Sequence, residues 1–561
     1  MEVIVFLGIL VLFVIGFYIK GTVDFKRRLQ QFEQRLRTEY GNPRTNVETP
    51  ERYGYIGRYY EKHRKPYAVD DITWNDLNMD KLYQRVNYAH SSCGEEYLYY
   101  RLRCPDMSAG EECLHADEEA MIAYLQEHEE ERVRLQMMFA QIGYTGKYSL
   151  YQYLDFLDNL GERSNRKHYV GLAMYAVAAL AALVLEPAVG LALFIILMIY
   201  QIFTYLKEHG EDEPYLVSFA FILRFIEGVE TLTEQPAEGM KAYVGEMADN
   251  IKSLRQIKQH AVFLSKANTQ QGDLMSSIMD YLKMVTHINL ISFNSMLSAV
   301  RKKTKEIDLL YTQAGYLEYL LIVGEYRKSL SHYCIPQFHE GGAFSCTKLC
   351  HPLIEQPVSC SFSVNGGVLV TGSNASGKST FLKSVALNTI LAQSMHTVLA
   401  EQCETSYCRV YTSMALRDDL DSGESYYMVE IRALKRILDA AKDKEAGQVF
   451  CFIDEVLRGT NTVERIAAST QIMKYFAELK VRCFAATHDI ELSHLLESEY
   501  DNYHFEEDVS DGDIHFNYEL QSGRATTRNA IRLLEIMGYQ EQIIARAEQL
   551  AQHFVATGVW Q

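Results

Sequence analysis

The stretch Thr371–Thr380, TGSNASGKST, decides how the C-terminal part of this chain is read. An apolar run, Val368-Leu369-Val370, precedes it, and a segment patterned as a helix, Ser379–Leu391, follows. Gly372, Gly377, Lys378 and Ser379 fit G-x-x-x-x-G-K-[ST] between a predicted strand and a predicted helix. Such a loop, Gly372 through Ser373, Asn374, Ala375, Ser376, Gly377, Lys378 and Ser379 to Thr380, is a phosphate cradle. Its glycines let backbone N–H groups face an anion, and the helix N-terminus adds partial positive charge. Lys378 would neutralise β- and γ-phosphates, and the Ser379 hydroxyl would hold Mg2+.

Working outward, short apolar runs alternate with amphipathic segments from about residue 345. Val368–Val370, Val410–Thr412, Val449–Ile453 and Cys483–Ala486 read as strands. Ser379–Leu391, Met428–Ala441, Arg465–Leu479 and Ile490–Leu496 read as helices. That alternation predicts an α/β domain with a mainly parallel sheet. Two strand ends carry further chemistry. VFCFIDE (Val449–Glu455) is an apolar strand ending in two acids, with Asp454 placed for Mg2+ and Glu455 placed to polarise an attacking water. An acid pair there also suits a helix cap. CFAATHD sets His488 after another strand, where it would sense a γ-phosphate; a lone histidine in that place is otherwise structural. DDLDSGESYYMVE (Asp418–Glu430) is a polar loop leading into a helix.

Together these motifs resemble the ATPase domain of the MutS family, within the ABC-type ATPases. The family's loop TGPNMGGKST stands here as TGSNASGKST, so Ala375-Ser376 replaces Met-Gly and Asn374 matches the loop asparagine. DDLDSGESYYMVE is similar to the family's signature segment, IDEVLRGTNTVE to its acid pair and following loop, and ATHDIEL to its histidine switch. LAQSMHTVLAEQC and NAIRLLEIMGYQEQIIARAEQLA resemble the segment after the phosphate-loop helix and the C-terminal helical ending. The likeness covers about 345–555 and implies ATP hydrolysis with Mg2+ bound by Ser379 and Asp454. It also implies a homodimer through the ATPase domains, in which Ser425 reaches the γ-phosphate held by the opposite subunit. Asp70–Pro105 looks like the start of the family's helical core.

The remainder of the 561 residues is different in kind. Val3–Ile19 is free of charge and is followed by Lys20, Lys26, Arg27 and Arg28, which predicts a signal anchor with the rest of the chain cytoplasmic. A second apolar block, Tyr169–Leu206, is broken by Glu186-Pro187 into halves each long enough to span a bilayer. Arg163, Arg166 and Lys167 before it and Lys207 after it predict a hairpin with both ends cytoplasmic; a buried hairpin in a soluble core is the alternative. The predicted organisation is therefore a transmembrane anchor over 1–20, a polar segment over 21–69 with a helix at Val23–Tyr40 and a loop at 41–54, and a mostly helical core over 70–168. A transmembrane hairpin over 169–206, a second helical part over 207–335 and the ATPase domain over 345–561 follow. Phe219, Ile222, Phe225 and Ile226 have the 3–4 spacing of a core helix face.

The charge, 55 basic against 73 acidic residues for a net of −18, is not the balance of a dedicated nucleic-acid binder. The resemblance implies mismatched DNA as a partner, yet residues 1–150 hold no Phe-x-Glu, the wedge of the family's mismatch-reading module. Three functions stand: a membrane-anchored ATPase that rearranges helical arms, a DNA-repair protein proper, and a scaffold or transport-linked ATPase acting on a membrane partner. The eleven cysteines form no C-x-x-C pair, which points to reduced thiols; Cys346, Cys350 and His351 have C-x3-C-H spacing, a weak metal pattern.

Overall fold

A computed structural model describes residues 2–43, 50–108, 112–234, 236, 238–261, 281–341, 343–373, 376–414, 426–443, 445–458, 460–510, 513–525, 531, 534, 537–557 and 559–560. The chain is mostly helical, carries mixed sheets, and divides into two compact units. The first comprises Met1–His63, Asn87–Tyr99 and Ala116–Tyr326, and the second Arg64–Val86, Tyr100–His115 and Arg327–Gln561.

The first unit is helical. Its first helix, Glu2–Thr38, runs unbroken through Lys20 and Gly21, where the sequence reading placed a boundary before a separate helix at Val23. A single glycine without a following proline weakens a helix but does not end it. Of the expected loop over 41–54, residues 44–49 lie outside the described residues and 50–54 are helical, because Pro50 starts the helix Pro50–His63; proline suits a first helical position, where no N–H is needed. Ser149 and Gln152 form a reciprocal capping box that starts the helix Leu150–Asn159. The core stripe is as spaced: Phe219, Ile222, Phe225 and Ile226 are all buried. Phe219 meets Phe293 edge-to-face at 5.1 Å, and Phe225 meets Tyr311 at 5.3 Å.

Two helices of this unit, Arg166–Val184 and Pro187–Glu208, are long and apolar enough to cross a membrane. The turn falls at Glu186-Pro187, and the second helix continues without a break to Glu234, so residue 206 is no structural boundary. The two helices approach closely at Gly190, where an added Cβ would lie 2.2 Å from Ala182 Cβ. Their outer faces are exposed and apolar, with Val177, Leu180, Leu183, Ile196 and Phe203 all more than half exposed. The foot is polar: His168 Nδ1 lies 2.9 Å from His287 Nδ1, and His287 Nε2 lies 2.8 Å from Gln201 O.

In the second unit ten strands form two sheets among the described residues. They are β1 (Gln337–Phe338), β2 (Phe344–Leu349), β3 (Cys360–Val364), β4 (Gly367–Thr371), β5 (Gln402–Thr405), β6 (Cys408–Ser413), β7 (Gln448–Asp454), β8 (Arg482–Ala486), β9 (Tyr500–Ser510) and β10 (Asp513–Ser522). The larger sheet has the order β10-β9-β4-β8-β7-β6, with every neighbour parallel except β10 on β9. Its centre is apolar because helices or the other sheet cover both faces: Val368, Leu369 and Val370 are fully buried, as are Phe450, Phe452, Phe484 and Ala485. The smaller sheet, β1-β5-β2-β3, was not read from the sequence; its strands, such as QCET and FSCTKL, lack an apolar run.

Arg64–Val86, assigned by sequence mostly to the helical core, is grouped with this unit. The reason is a set of polar ties to β6 and its neighbour helix. Tyr67 OH donates to Val410 O and accepts from Val410 N–H, Asp76 accepts from Thr412 Oγ1 and Met414 N–H, and Arg436 pairs with Asp70.

Candidate functional site

The site grows from three strand ends that lie side by side because β4, β8 and β7 are parallel neighbours. The register pairs Val370 with Ala486 and Asp454 with Ala486, so the phosphate loop, the acid pair and His488 all leave the sheet at one edge. Thr487 N–H donates to Val370 O and Glu455 N–H donates to Ala486 O, fixing the exits of β8 and β7.

The loop after β4 is tightly folded. Gly372 and Gly377 have φ of 146° and 112°, where side chains are strained. A Cβ on Gly372 would sit 2.9 Å from Phe505 O, and one on Gly377 would sit 3.2 Å from Tyr518 Cδ1. Ser376 Oγ donates to Ser373 O inside the loop, and Lys378 Nζ donates to Gly372 O at 2.9 Å and Ser373 O at 2.6 Å. Lys378 opens the helix Lys378–Met395, which is buried along nearly its whole length.

The acid pair closes β7. Glu455 and Leu457 both take left-handed backbone conformations, φ 64° and 57°, so the chain reverses sharply after Asp454. Glu455 Oε1 lies 3.2 Å from His488 Nε2, and Arg458 Nε lies 2.9 Å from Glu455 Oε2. The hydrogen bond from His488 and the charge of Arg458 hold the Glu455 carboxyl below its usual range, against burial. Asp489, three residues past the end of β8, is gripped in bidentate fashion by Arg465 at 2.9 and 2.6 Å, which steadies the turn carrying His488.

Gly377, Lys378, Ser379, Thr380, Asp454, Glu455 and His488 line one cavity of ≈680 Å3. Gly372, Ser373 and Ser376 form the base of the loop and do not line it. Asn374, Ala375 and Ser425 lie outside the described residues. Much of the rest of the wall was not foreseen: His351, Ile354, Pro357 and Val358 before β3, Cys360 at its start, Arg458, and Phe505 and Tyr518 from β9 and β10. Arg458 stands three residues past Glu455, and that spacing was the one available signal; the others come from a loop and from strands with no motif.

His351 belongs to this wall and not to a ligand set with its cysteines. Its Nδ1 accepts from Leu353 N–H, and burial, helped by Lys383, lowers its pKa to about 4, so it is neutral. Cys346 Sγ instead faces Cys403 Sγ at 3.0 Å, its cross-strand partner. Among the described residues no group of three or more His, Cys, Asp or Glu side chains is arranged to hold a metal.

The residues fit a nucleotide with Mg2+. Two glycines leave room where a Cβ would collide, a lysine stands at the loop, and Ser379 and Asp454 offer the hard oxygen donors that Mg2+ takes.

Comparison with known proteins agrees in place and in kind. The family description "MutS domain V" matches residues 368–555. The chain is 34% identical over 186 residues to the DNA mismatch repair protein MutS 2 of Haloarcula marismortui, covering 32% of this chain and 19% of that protein. It is 29% identical over 276 residues to the DNA mismatch repair protein MutS of Microcystis aeruginosa, covering 46% of this chain and 31% of that protein. Over 184 residues it is 32% identical to MutS of Thermus thermophilus, covering 33% and 22%. The chain thus matches less than a third of the length of these relatives. The matched domain and the MutS-named relatives support the MutS family.

Proposed function

We propose that this protein is a membrane-anchored, MutS-like ATPase that binds ATP in the cavity at the end of β4, β7 and β8 and hydrolyses it to drive conformational change. The observation that carries the reading is the convergence of Lys378, Ser379, Asp454, Glu455 and His488 on one cavity. Backbone N–H groups of the loop from Gly372 to Thr380 would cradle the phosphates, with Lys378 turning from the loop carbonyls to the β- and γ-phosphates. Ser379 and Asp454 would hold Mg2+, which neutralises phosphate charge when bound. Glu455, kept ionised by its surroundings, orients and polarises the attacking water, and His488 monitors the γ-phosphate. The site is completed in a homodimer by Ser425 of the second copy.

The relatives' names carry DNA mismatch repair, which makes mismatched DNA the first ligand to test. A module that acts on a protein or membrane partner without reading mismatches is the second reading. It is favoured by the net charge of −18 and by the exposed apolar hairpin Arg166–Glu208, which we place in the bilayer with the N-terminal helix as a third span and the ATPase unit in the cytoplasm.

Glu455→Gln in the detergent-solubilised full chain tests the catalytic reading. Hydrolysis should fall by about 10^2–10^4-fold while ATP binding is kept. Hydrolysis at the parent rate refutes it. Binding to mismatched duplex that falls steeply with salt would favour the DNA reading, and none at low salt would remove it.

A further inference from the structure

The acid that ends β7 is held from two sides, and one of its partners is itself tethered. His488 Nε2 engages Glu455 Oε1 and Arg458 Nε engages Oε2. The Arg458 side chain is 64% exposed and lines the cavity, yet its backbone is fixed from the interior. Its N–H donates to Glu430 Oε1 at 3.2 Å, and Glu430 is 1% exposed. Glu430 lies in the second turn of the helix Tyr426–Lys442, which begins one residue after Ser425 in the sequence.

This tether matters because the reversal it holds is strained. Glu455 and Leu457 are non-glycine residues at φ 64° and 57°. Such conformations persist only where the surroundings over-determine them. Two bonds do so: Glu455 N–H to Ala486 O on one side of the turn, and Arg458 N–H to the Glu430 carboxylate on the other. The reversal in turn brings Arg458 back, three residues on, to within 2.9 Å of the Glu455 carboxylate.

We propose that Arg458 is a positioning residue for Glu455, anchored through its backbone by Glu430, so that the helix Tyr426–Lys442 sets the orientation of the acid in the ATP cavity. The proposal rests on the reading of Glu455 as the group that polarises water. Any movement of that helix reaches the acid through Glu430 and the Arg458 backbone, with no contact between the helix and the phosphates required. The guanidinium reaches Glu455 from the same turn, while His488, past the end of β8, and Lys378 face the acid from the other strand ends.

The test uses the full chain in detergent, with steady-state ATP hydrolysis and nucleotide binding measured separately. Arg458→Gln should lower kcat by about 2–5-fold, the size an exposed ion pair supports, while KM and nucleotide affinity stay unchanged. Arg458→Lys should restore kcat, because it returns the charge. Glu430→Leu should lower kcat similarly, although that side chain is buried beneath the turn. An unchanged kcat in Arg458→Gln would overturn the proposal, as would a loss confined to KM, which would make Arg458 a nucleotide-binding group, or an unchanged kcat in Glu430→Leu, which would remove the helix from it. Hydrolysis at the parent rate by Glu455→Gln is a separate outcome: it overturns the catalytic reading itself, and the proposal with it.

Discussion

Replacing Gly372 by alanine probes the phosphate loop at its tightest point. The backbone there sits at φ 146°, a region essentially reserved for glycine. Holding alanine in it costs about 1–3 kcal/mol. The new Cβ would also lie 2.9 Å from Phe505 O and 3.0 Å from Ser376 Oγ. Phe505 belongs to β9, which is hydrogen-bonded to β4 along Gly367–Thr371, so the carbonyl has little room to retreat. Forced overpacking of this kind costs about 1–3 kcal/mol more. Alanine lowers the entropy of the unfolded chain, which returns about 0.4–1 kcal/mol. The expected net loss is therefore about 1–5.5 kcal/mol from the second unit. Tryptophan fluorescence in a denaturant titration reads it, because both tryptophans, buried Trp74 and exposed Trp560, lie in that unit. Nucleotide affinity should fall as well, since Gly372 O is one of the two carbonyls that hold Lys378. A Gly372→Ala protein that unfolds within about 0.5 kcal/mol of the parent and binds ATP equally well would refute the loop geometry.

Three other outcomes are expected. Lys378→Met should weaken ATP binding by about 1.5–3 kcal/mol, the worth of a hydrogen bond to a charged group, read by equilibrium titration with a fluorescent ATP analogue; equal affinity would remove Lys378 from the phosphate site. In the first unit, Glu318 is buried and accepts N–H bonds from Ser91 and Gly94 at the start of the helix Ser92–Arg103, and burial pushes its carboxyl up to about 7. The folded state then keeps a proton that the unfolded chain gives up, so stability should fall by about 3 kcal/mol as pH rises from about 4.5 to about 7 and change little above that. Amide exchange along that helix in the parent and in Glu318→Gln should show this slope and its disappearance; equal slopes would refute it. Val177→Lys with Ile196→Lys, at exposed positions near the middle of the two helices, should release the hairpin from the bilayer, with each lysine costing about 2.5–3.5 kcal/mol; a tag at Glu186-Pro187 should then be labelled from outside in the parent and only after permeabilisation in the variant, and equal labelling would count against the hairpin as a span.

The loop Gly372–Thr380 was legible as a candidate phosphate cradle because a local pattern, two glycines and a lysine at set spacing, suffices to single it out. The four predicted strands exist with ends extended by one or two residues: Gly367–Thr371 around Val368–Val370, and Gln448–Asp454 around Val449–Ile453. Fully buried parallel strands announce themselves as apolar runs, whereas β2, β3 and β5 do not, since their sheet is only partly buried and mixes serine, threonine and cysteine with apolar positions. The hairpin turn at Glu186-Pro187 was likewise visible, but the continuation of its second helix to Glu234 was not, because composition changes at Lys207 while helical hydrogen bonding does not.

The sequence by itself determined which residues stand as candidates for the chemistry: Asp454 and Glu455 end one apolar run, His488 follows another, and Lys378 and Ser379 close the glycine loop after a third. The tertiary structure decided what surrounds them. Only the parallel register of β4, β8 and β7 sets those ends side by side, and only the reversal after Asp454 brings Arg458 onto Glu455. The remaining walls come from residues more than a hundred positions apart, His351 and Tyr518 among them. Local spacing encodes neighbours along one strand or helix; contacts across a sheet depend on strand order, which no single segment contains.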